Sequence, residues 1–170
     1  PPVVTLDQGL DATIECPAVP GFSAPVFTDA CAGVITPSEV TVTNTVGCTN
    51  VITRTWTASD GCGNSTNRSQ TITVVDTTPP VVTLDQGLDA TIECPAVPGF
   101  SAPVFTDACA GVITPSEVTV TNTVGCTNAI TRTWTASDGC GNSTNRSQTI
   151  TVVDTTPPAV TANQGPDGTI

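Results

Sequence analysis

The feature that most constrains this chain is that it says the same thing twice. Laid over residues 79–156, residues 1–78 match at every position but one, Val51 against Ala129. A third copy opens at Pro157 and has already drifted when the sequence stops at Ile170: Leu6-Asp7 becomes Ala162-Asn163 and Leu10 becomes Pro166. A 78-residue period is longer than most solenoid units, which run roughly 20–50 residues, and it suits a small self-contained domain. The expected organisation is a tandem array: one domain at 1–78, a second at 79–156, and the first strands of a third at 157–170. An array that breaks off inside a repeat is expected to be a window on a longer one.

Within one repeat, Thr and Val dominate, and Pro and Gly punctuate the chain every ten residues or so. Short strands between turns predict an all-β sandwich. "VVTL" (3–6) and "ATIEC" (12–16) open the repeat, and "EVTVTNTV" (39–46) alternates cleanly. "GFSAPVFTDA" is broken by Pro25 and reads as an irregular edge. In "TNVITRTWTAS" (49–59) the two-residue period sets Ile52, Trp56 and Ala58 on one face and Thr53, Thr55 and Thr57 on the other. In "SQTITVV" (69–75), Ile72 and Val74 point inward. Arg54 falls on the inward parity, so it needs a place near a sheet edge and a carboxylate partner. No segment has helical periodicity. The fold expected is a tandem array of immunoglobulin-like β-sandwich domains of seven strands or fewer.

Each repeat carries four cysteines: Cys16, Cys31, Cys48 and Cys62, then Cys94, Cys109, Cys126 and Cys140. An even count in a small β domain reads as two disulfides per repeat and an oxidising compartment. Zinc sites favour C-x2-C pairs, whereas the closest pair here is Cys48 and Cys62. The small core explains the need, since Phe22, Phe27 and Trp56 are the only large aromatics of a repeat. A bridge closing ~30 residues would add roughly 3 kcal/mol. Four cysteines allow three pairings. The matching turn phrases "TDACAG" and "SDGCGN" favour Cys31–Cys62, leaving Cys16–Cys48, and by repetition Cys109–Cys140 and Cys94–Cys126.

Composition excludes several functions. Lys, His, Tyr and Met are absent, and 15 acids against four arginines leave a net charge of −11. Such a surface repels nucleic acid and anionic membrane, because phosphate binding needs clustered cations, but it suits divalent cations. No apolar run is long enough to span a membrane. Catalysis is not expected. A glycosidase-like carboxylate pair would have to come from Asp29, Asp60 and Glu39 on a fold with little room for a cleft. The absence of Lys also rules out Lys–Asn isopeptide staples.

One stretch, "FTDACAG…TRTWTASDGCGNSTNRSQTITVVDTTPP", resembles the hyalin-repeat (HYR) and related immunoglobulin-like modules. It is most similar to the versions arrayed in large secreted surface proteins and gliding-type adhesins of Bacteroidetes-type bacteria. The strongest marks are "TWTASDGCGN", the following "QTITVVDTTPP" and the upstream "TDAC"; Gly9–Pro25 matches more loosely. The resemblance implies an extracellular, cell-surface, non-catalytic module of stalks, fibres and adhesins, and names no ligand.

Candidate sites remain. The "DGCGN" turn of an immunoglobulin-like domain joins the last two strands at the pole facing the preceding domain, and Asp76 ends one repeat where the next begins. Asp76 could thus meet Asp107, Asp138 and Asn142, giving Ca2+ its oxygen ligands; Asp29, Asp60 and Asn64 are the same set in the first repeat. The competing role for these residues is to bond backbone within their own turns. "DTT" (76–78, 154–156) looks like a Bacteroidetes O-glycosylation site at Thr77 and Thr155. "NST" places an N-glycosylation pattern at Asn64 and Asn142. The threonine rows of 41–45 and 53–57 admit ice binding, although Thr is simply a good residue for a solvated strand face. Trp56 and Trp134 could stack on sugars, but their parity assigns them to the core. The proline pair of "DTTPP" fixes φ and removes donors, which makes a short, stiff joint.

The leading expectation is a structural spacer: a disulfide-stabilised, calcium-stiffened rod of an extracellular stalk, filament or adhesin. Its partners would be neighbouring repeats and other copies in a fibre. The alternative is a glycan- or protein-binding module acting through multivalency, with Pro17–Pro25 as its loop.

Overall fold

The computed structural model describes residues 1–161. The first repeat folds as β1 (Val3–Leu6), β2 (Ala12–Glu15), β3 (Val26–Asp29), β4 (Gly33–Ile35), β5 (Ser38–Val46), β6 (Thr49–Ser59) and β7 (Ser65–Val75). The second repeats them as β8 (Val81–Leu84), β9 (Ala90–Glu93), β10 (Val104–Asp107), β11 (Gly111–Ile113), β12 (Ser116–Val124), β13 (Thr127–Ser137) and β14 (Ser143–Val153). Of the third copy expected at 157–170, residues 162–170, with its drifted positions, lie outside the described residues.

Each repeat makes a three-stranded and a four-stranded sheet, in the orders β1-β3-β4 and β2-β7-β6-β5, then β11-β10-β8 and β12-β13-β14-β9. Neighbours run antiparallel except β2 with β7 and β9 with β14, which are parallel. The chain is all-β, two tandem immunoglobulin-like sandwiches. By contacts it divides into two compact units. One holds Pro1–Thr83 with Val104–Pro115 and Ala136–Thr144; the other holds Leu84–Pro103, Ser116–Thr135 and Asn145–Ile170.

The core of the first sandwich follows the two-residue period. Phe27, Trp56 and Ala58 are buried together, with Val4, Phe22 and Ile35 packed against them, so side chains of both sheets meet. Trp56 is 2% exposed and its indole N–H donates to Glu39 Oε2 at 3.2 Å, which satisfies the one polar atom this burial brings in. Arg54 escapes as its parity requires. It sits opposite Thr41 of the outermost strand β5, stacks over the Phe22 ring at 4.5 Å and lies 3.9 Å from Glu39 Oε2.

The cleanly alternating 39–46 is a strand, β5, exposed along its whole length; it is the outer strand of four, opposite a sheet of only three. One reading of the strands is corrected. "GFSAPVFTDA" is not an edge throughout. Its one proline, Pro25, stays in the irregular lead-in, and β3 begins just after it as the central strand of its sheet.

That irregular lead-in is pinned from below by Gln70, mid-strand in β7 and 4% exposed. Its Oε1 accepts from the Ser23 N–H at 3.0 Å and its Nε2 donates to the Leu10 carbonyl at 2.8 Å. Gly9 lies so close that a Cβ there would come within 2.7 Å of the amide nitrogen. Gln148 makes the same two bonds, to Ser101 and Leu88.

Candidate functional site: the cysteine and aspartate joint

The turn between β6 and β7 is built around a carboxylate. Asp60 Oδ1 accepts from the N–H groups of Cys62 (2.8 Å) and Asn64 (3.1 Å), and its Oδ2 accepts from Asn64 Nδ2 at 2.6 Å. Gly61 and Gly63 take positive φ values of 76° and 92° to close it. Asp29 serves the β3–β4 turn alike, accepting from Cys31 N–H (2.9 Å) and Ala32 N–H (3.1 Å). These bonds hold the Asp29 and Asp60 carboxyls below their ordinary values: backbone N–H groups are the main cause for Asp29, and the Asn64 amide for Asp60. In each turn the aspartate presents a cysteine.

Asp107 and Asp138 build the same turns in the second repeat, with Cys109 N–H at 2.7 Å and Cys140 N–H at 2.6 Å. There the presented cysteines are bonded. Cys16 is joined to Cys109 and Cys48 to Cys140, with Cα atoms 5.8 and 5.5 Å apart, the separation a disulfide needs. The expected pairings Cys16–Cys48, Cys31–Cys62, Cys94–Cys126 and Cys109–Cys140 are therefore corrected. The described residues hold two disulfides, both running from the first repeat to the second and both inside the first compact unit. Cys31, Cys62, Cys94 and Cys126 form none among the described residues. The physical reason is that matching turn phrases mark cysteines on the same face, side by side. Their partners are the cysteines at the other end of the neighbouring repeat.

Asp76 lies in the middle of this joint. Cys16, Cys48, Asp76, Asp138, Cys109 and Cys140 surround one recess. Asn142 Nδ2 donates to the Asp76 carbonyl at 3.3 Å as well as to Asp138 Oδ2 at 2.6 Å. One ligand atom each of Asp76, Asp138 and Cys140 falls within 4.8 Å of the others, but the sulfur is spent in a disulfide, so carboxylate oxygens are what the site offers a cation. Asp76 Oδ2 is buried and has no hydrogen-bond partner. Burial first, then the charges of Asp107 and Asp138, push the Asp76 carboxyl above its ordinary range. Asp29, Asp60 and Asn64 line a separate recess with Cys31 and Cys62.

The linker is held by a residue that the sequence reading passed over. Glu15, at the end of β2, accepts at Oε1 from the N–H of Thr77 (2.6 Å) and of Thr78 (3.2 Å). The Thr77 hydroxyl donates to Oε2 and the Thr78 hydroxyl to Oε1, each at 3.0 Å. These donors, the Thr77 N–H foremost, lower the Glu15 carboxyl from its usual value. Pro80 is buried, and its carbonyl accepts from the Thr144 hydroxyl. Glu93 accepts likewise from the Thr155 N–H and from the Thr155 and Thr156 hydroxyls, while the Thr156 N–H donates to Asp154 Oδ1. The only hint was an acid ending a strand directly before Cys16.

The glycosylation patterns fall on occupied atoms. The Thr77 and Thr155 hydroxyls donate to Glu15 and Glu93, and the Asn64 and Asn142 amides to Asp60 and Asp138. Trp56 and Trp134 are 2% and 1% exposed, which closes them to sugar stacking.

Comparison with known families bears on this arrangement of four cysteines per repeat. The model of the "HYR-like domain with 4 cysteines" matches residues 4–74 and again 79–152. The chain belongs to this family. Its HYR-like matches cover both sandwiches, including all eight cysteines. Among solved structures, the N-terminal Ig1-2 module of the Drosophila receptor protein tyrosine phosphatase DLAR is similar at 14% identity. The match covers 89% of this chain and 98% of that one, with a TM-score of 0.31, too low to carry an argument. Comparison with curated proteins gave no match. An HYR-like, disulfide-bonded chain is an extracellular structural or adhesive module.

Proposed function

We propose that this chain is a non-catalytic spacer of an extracellular stalk, filament or adhesin, in which neighbouring repeats are locked into a stiff rod. The observation that carries the reading is the pair Cys16–Cys109 and Cys48–Cys140, two covalent ties beside one linker. A single linker leaves two domains free to twist and bend; two further ties between different turns remove most of that freedom. The prolines of "DTTPP" and the Glu15 clamp act in the same direction. Near-identity of the repeats fits a part whose job is length.

Calcium is part of the proposal as a second stiffener. The buried, unpartnered Asp76 Oδ2 beside Asp138, with Asp107 adding negative charge, supports it. An oxygen-preferring divalent ion would neutralise that charge.

Small-angle X-ray scattering tests both claims on the oxidised chain, with calcium and with chelator, and again after reduction. A rod locked by its disulfides keeps one maximum dimension until reductant is added. If reduction changes nothing, the disulfides are not the lock. If chelator alone shortens the particle, calcium shares the work; if calcium and chelator curves superpose, it does not.

A further inference from the structure

The four-stranded sheet has two outer strands, β2 and β5, and they are built differently. β2 is four residues long. β5 runs for nine, pairs with β6 in unbroken register from Ser38↔Thr57 to Val46↔Thr49, and is exposed at every residue. β12 is the same strand in the second repeat and is exposed in the same way. β5 has a repeat after it and β12 has one before it, so the exposure does not depend on which neighbour a repeat has. Natural sheets blunt such an edge with lysine, proline, a bulge or shortness. None of these is present in Ser38–Val46. The backbone N–H and C=O groups of β5 that point away from β6 meet no strand among the described residues.

We propose that this edge takes a second copy of the chain, β5 or β12 against its counterpart and antiparallel, so that two four-stranded sheets join into one. The pairing is independent of whether the joint between repeats is stiff.

Charge identifies the occupant. The chain carries −11 and repels its own kind over most of its surface. β5 has one charged residue, Glu39, which is turned to the Trp56 side and accepts the indole N–H there. The other face of the strand presents Val40, Val42 and Val46, opposite Thr55, Thr53 and Thr49 of β6, and no charged residue of either strand stands on it. A charged partner has nothing to pair with on that face, whereas a second copy brings matching valines. Centred on Val42, all nine residues overlap. Val42 then faces Val42, Val40 faces Asn44 and Glu39 faces Thr45, which holds the two acids at opposite ends. A parallel in-register pairing would set Glu39 beside Glu39, at a cost. The antiparallel contact is its own two-fold mate. One pair of strands is a small interface of the weak, transient class, and two identical edges in each chain add avidity.

The test is sedimentation equilibrium of the full chain over a concentration series, with the thiols of Cys31, Cys62, Cys94 and Cys126 alkylated beforehand so that no new disulfide forms. Two variants are compared with the parent: Val42→Glu with Val120→Glu, and Val42→Lys with Val120→Lys. The two sites are 61% and 60% exposed, so both variants should keep the parent's melting temperature. The parent should associate, and more so in high salt, which screens the like net charges. Each variant sets like charges face to face and should bind itself at least about tenfold more weakly. The Lys variant is the sharper of the two, because it reduces the net negative charge and should still weaken the pairing. Mixing the Glu and Lys variants should restore association. A parent that is monomeric at every concentration, in low and in high salt, overturns the inference and leaves the edge to a strand of another protein. Variants that associate as the parent does, or a mixture that fails to recover, overturn it as well.

Discussion

Cys16 and Cys94 occupy the same place in identical sequence, yet one is locked to a neighbour and the other is unpaired among the described residues. The turns tell the same story. Asp107 stands on a turn bonded to the first repeat through Cys109, while Asp29, its copy, stands on a turn whose Cys31 is unpaired among the described residues. The difference lies in what is packed against each turn, because the residues are the same. What one repeat does is therefore a property of the pair, and experiments that uncouple or restore the pair are the informative ones.

The largest effect should come from breaking it. Cys16→Ser with Cys48→Ser removes two bridges spanning 93 and 92 residues. Chain entropy assigns a loop of that length about 4–5 kcal/mol, and the second bridge, closing what the first already holds, adds less. A loss of about 5 kcal/mol in chemical denaturation of the oxidised chain is expected. An unchanged midpoint would mean that these bridges do not form in solution.

Next is a control inside the repeat, where both copies should respond alike. Gln70→Leu leaves the Ser23 N–H and the Leu10 carbonyl without their partner, at about 2 kcal/mol. Gln148→Leu should cost the same to within about 0.5 kcal/mol. Unequal losses would show that the joint reaches into the sandwich interior.

The two carboxylates at the linker should respond to pH with opposite signs. Glu15 is lowered by its donors, so the stability it contributes is present above its ordinary value of 4.5 and lost as pH falls through the lower folded value. Asp76 is raised from 3.8, so its charge costs stability at neutral pH, and the cost disappears as acidification protonates it. Melting temperatures in chelator should therefore fall at neutral pH for Glu15→Gln and rise for Asp76→Asn. Parallel shifts would sink this account.

The smallest effect concerns the one natural difference. Ala129→Val restores the first-repeat side chain on a half-buried strand and should stabilise by less than about 1 kcal/mol.

Much of the sandwich was legible in the sequence. The two-residue period assigned Trp56 and Ala58 to the core correctly, while Ile52 is half-buried and outside that cluster; it also flagged Arg54 as needing a place near a sheet edge and a carboxylate, which the structure supplies. The disulfide partners were not legible, for a physical reason. In a repeat of period 78 every cysteine has an identical twin, and spacing alone cannot separate a bond within a repeat from one to the next. Glu15 and Gln70 were missed because each acts across more than 45 residues of chain on backbone groups, and no local pattern records such a contact.

The pair of bridges has one more consequence. Between Cys48 and Cys109 the polypeptide runs through the linker, where Thr77 and Thr78 are exposed. A single cut at Thr77 or Thr78 would normally release everything beyond it. Here the two fragments would stay attached through Cys16–Cys109 and Cys48–Cys140, so the array would survive a nick that severs its backbone.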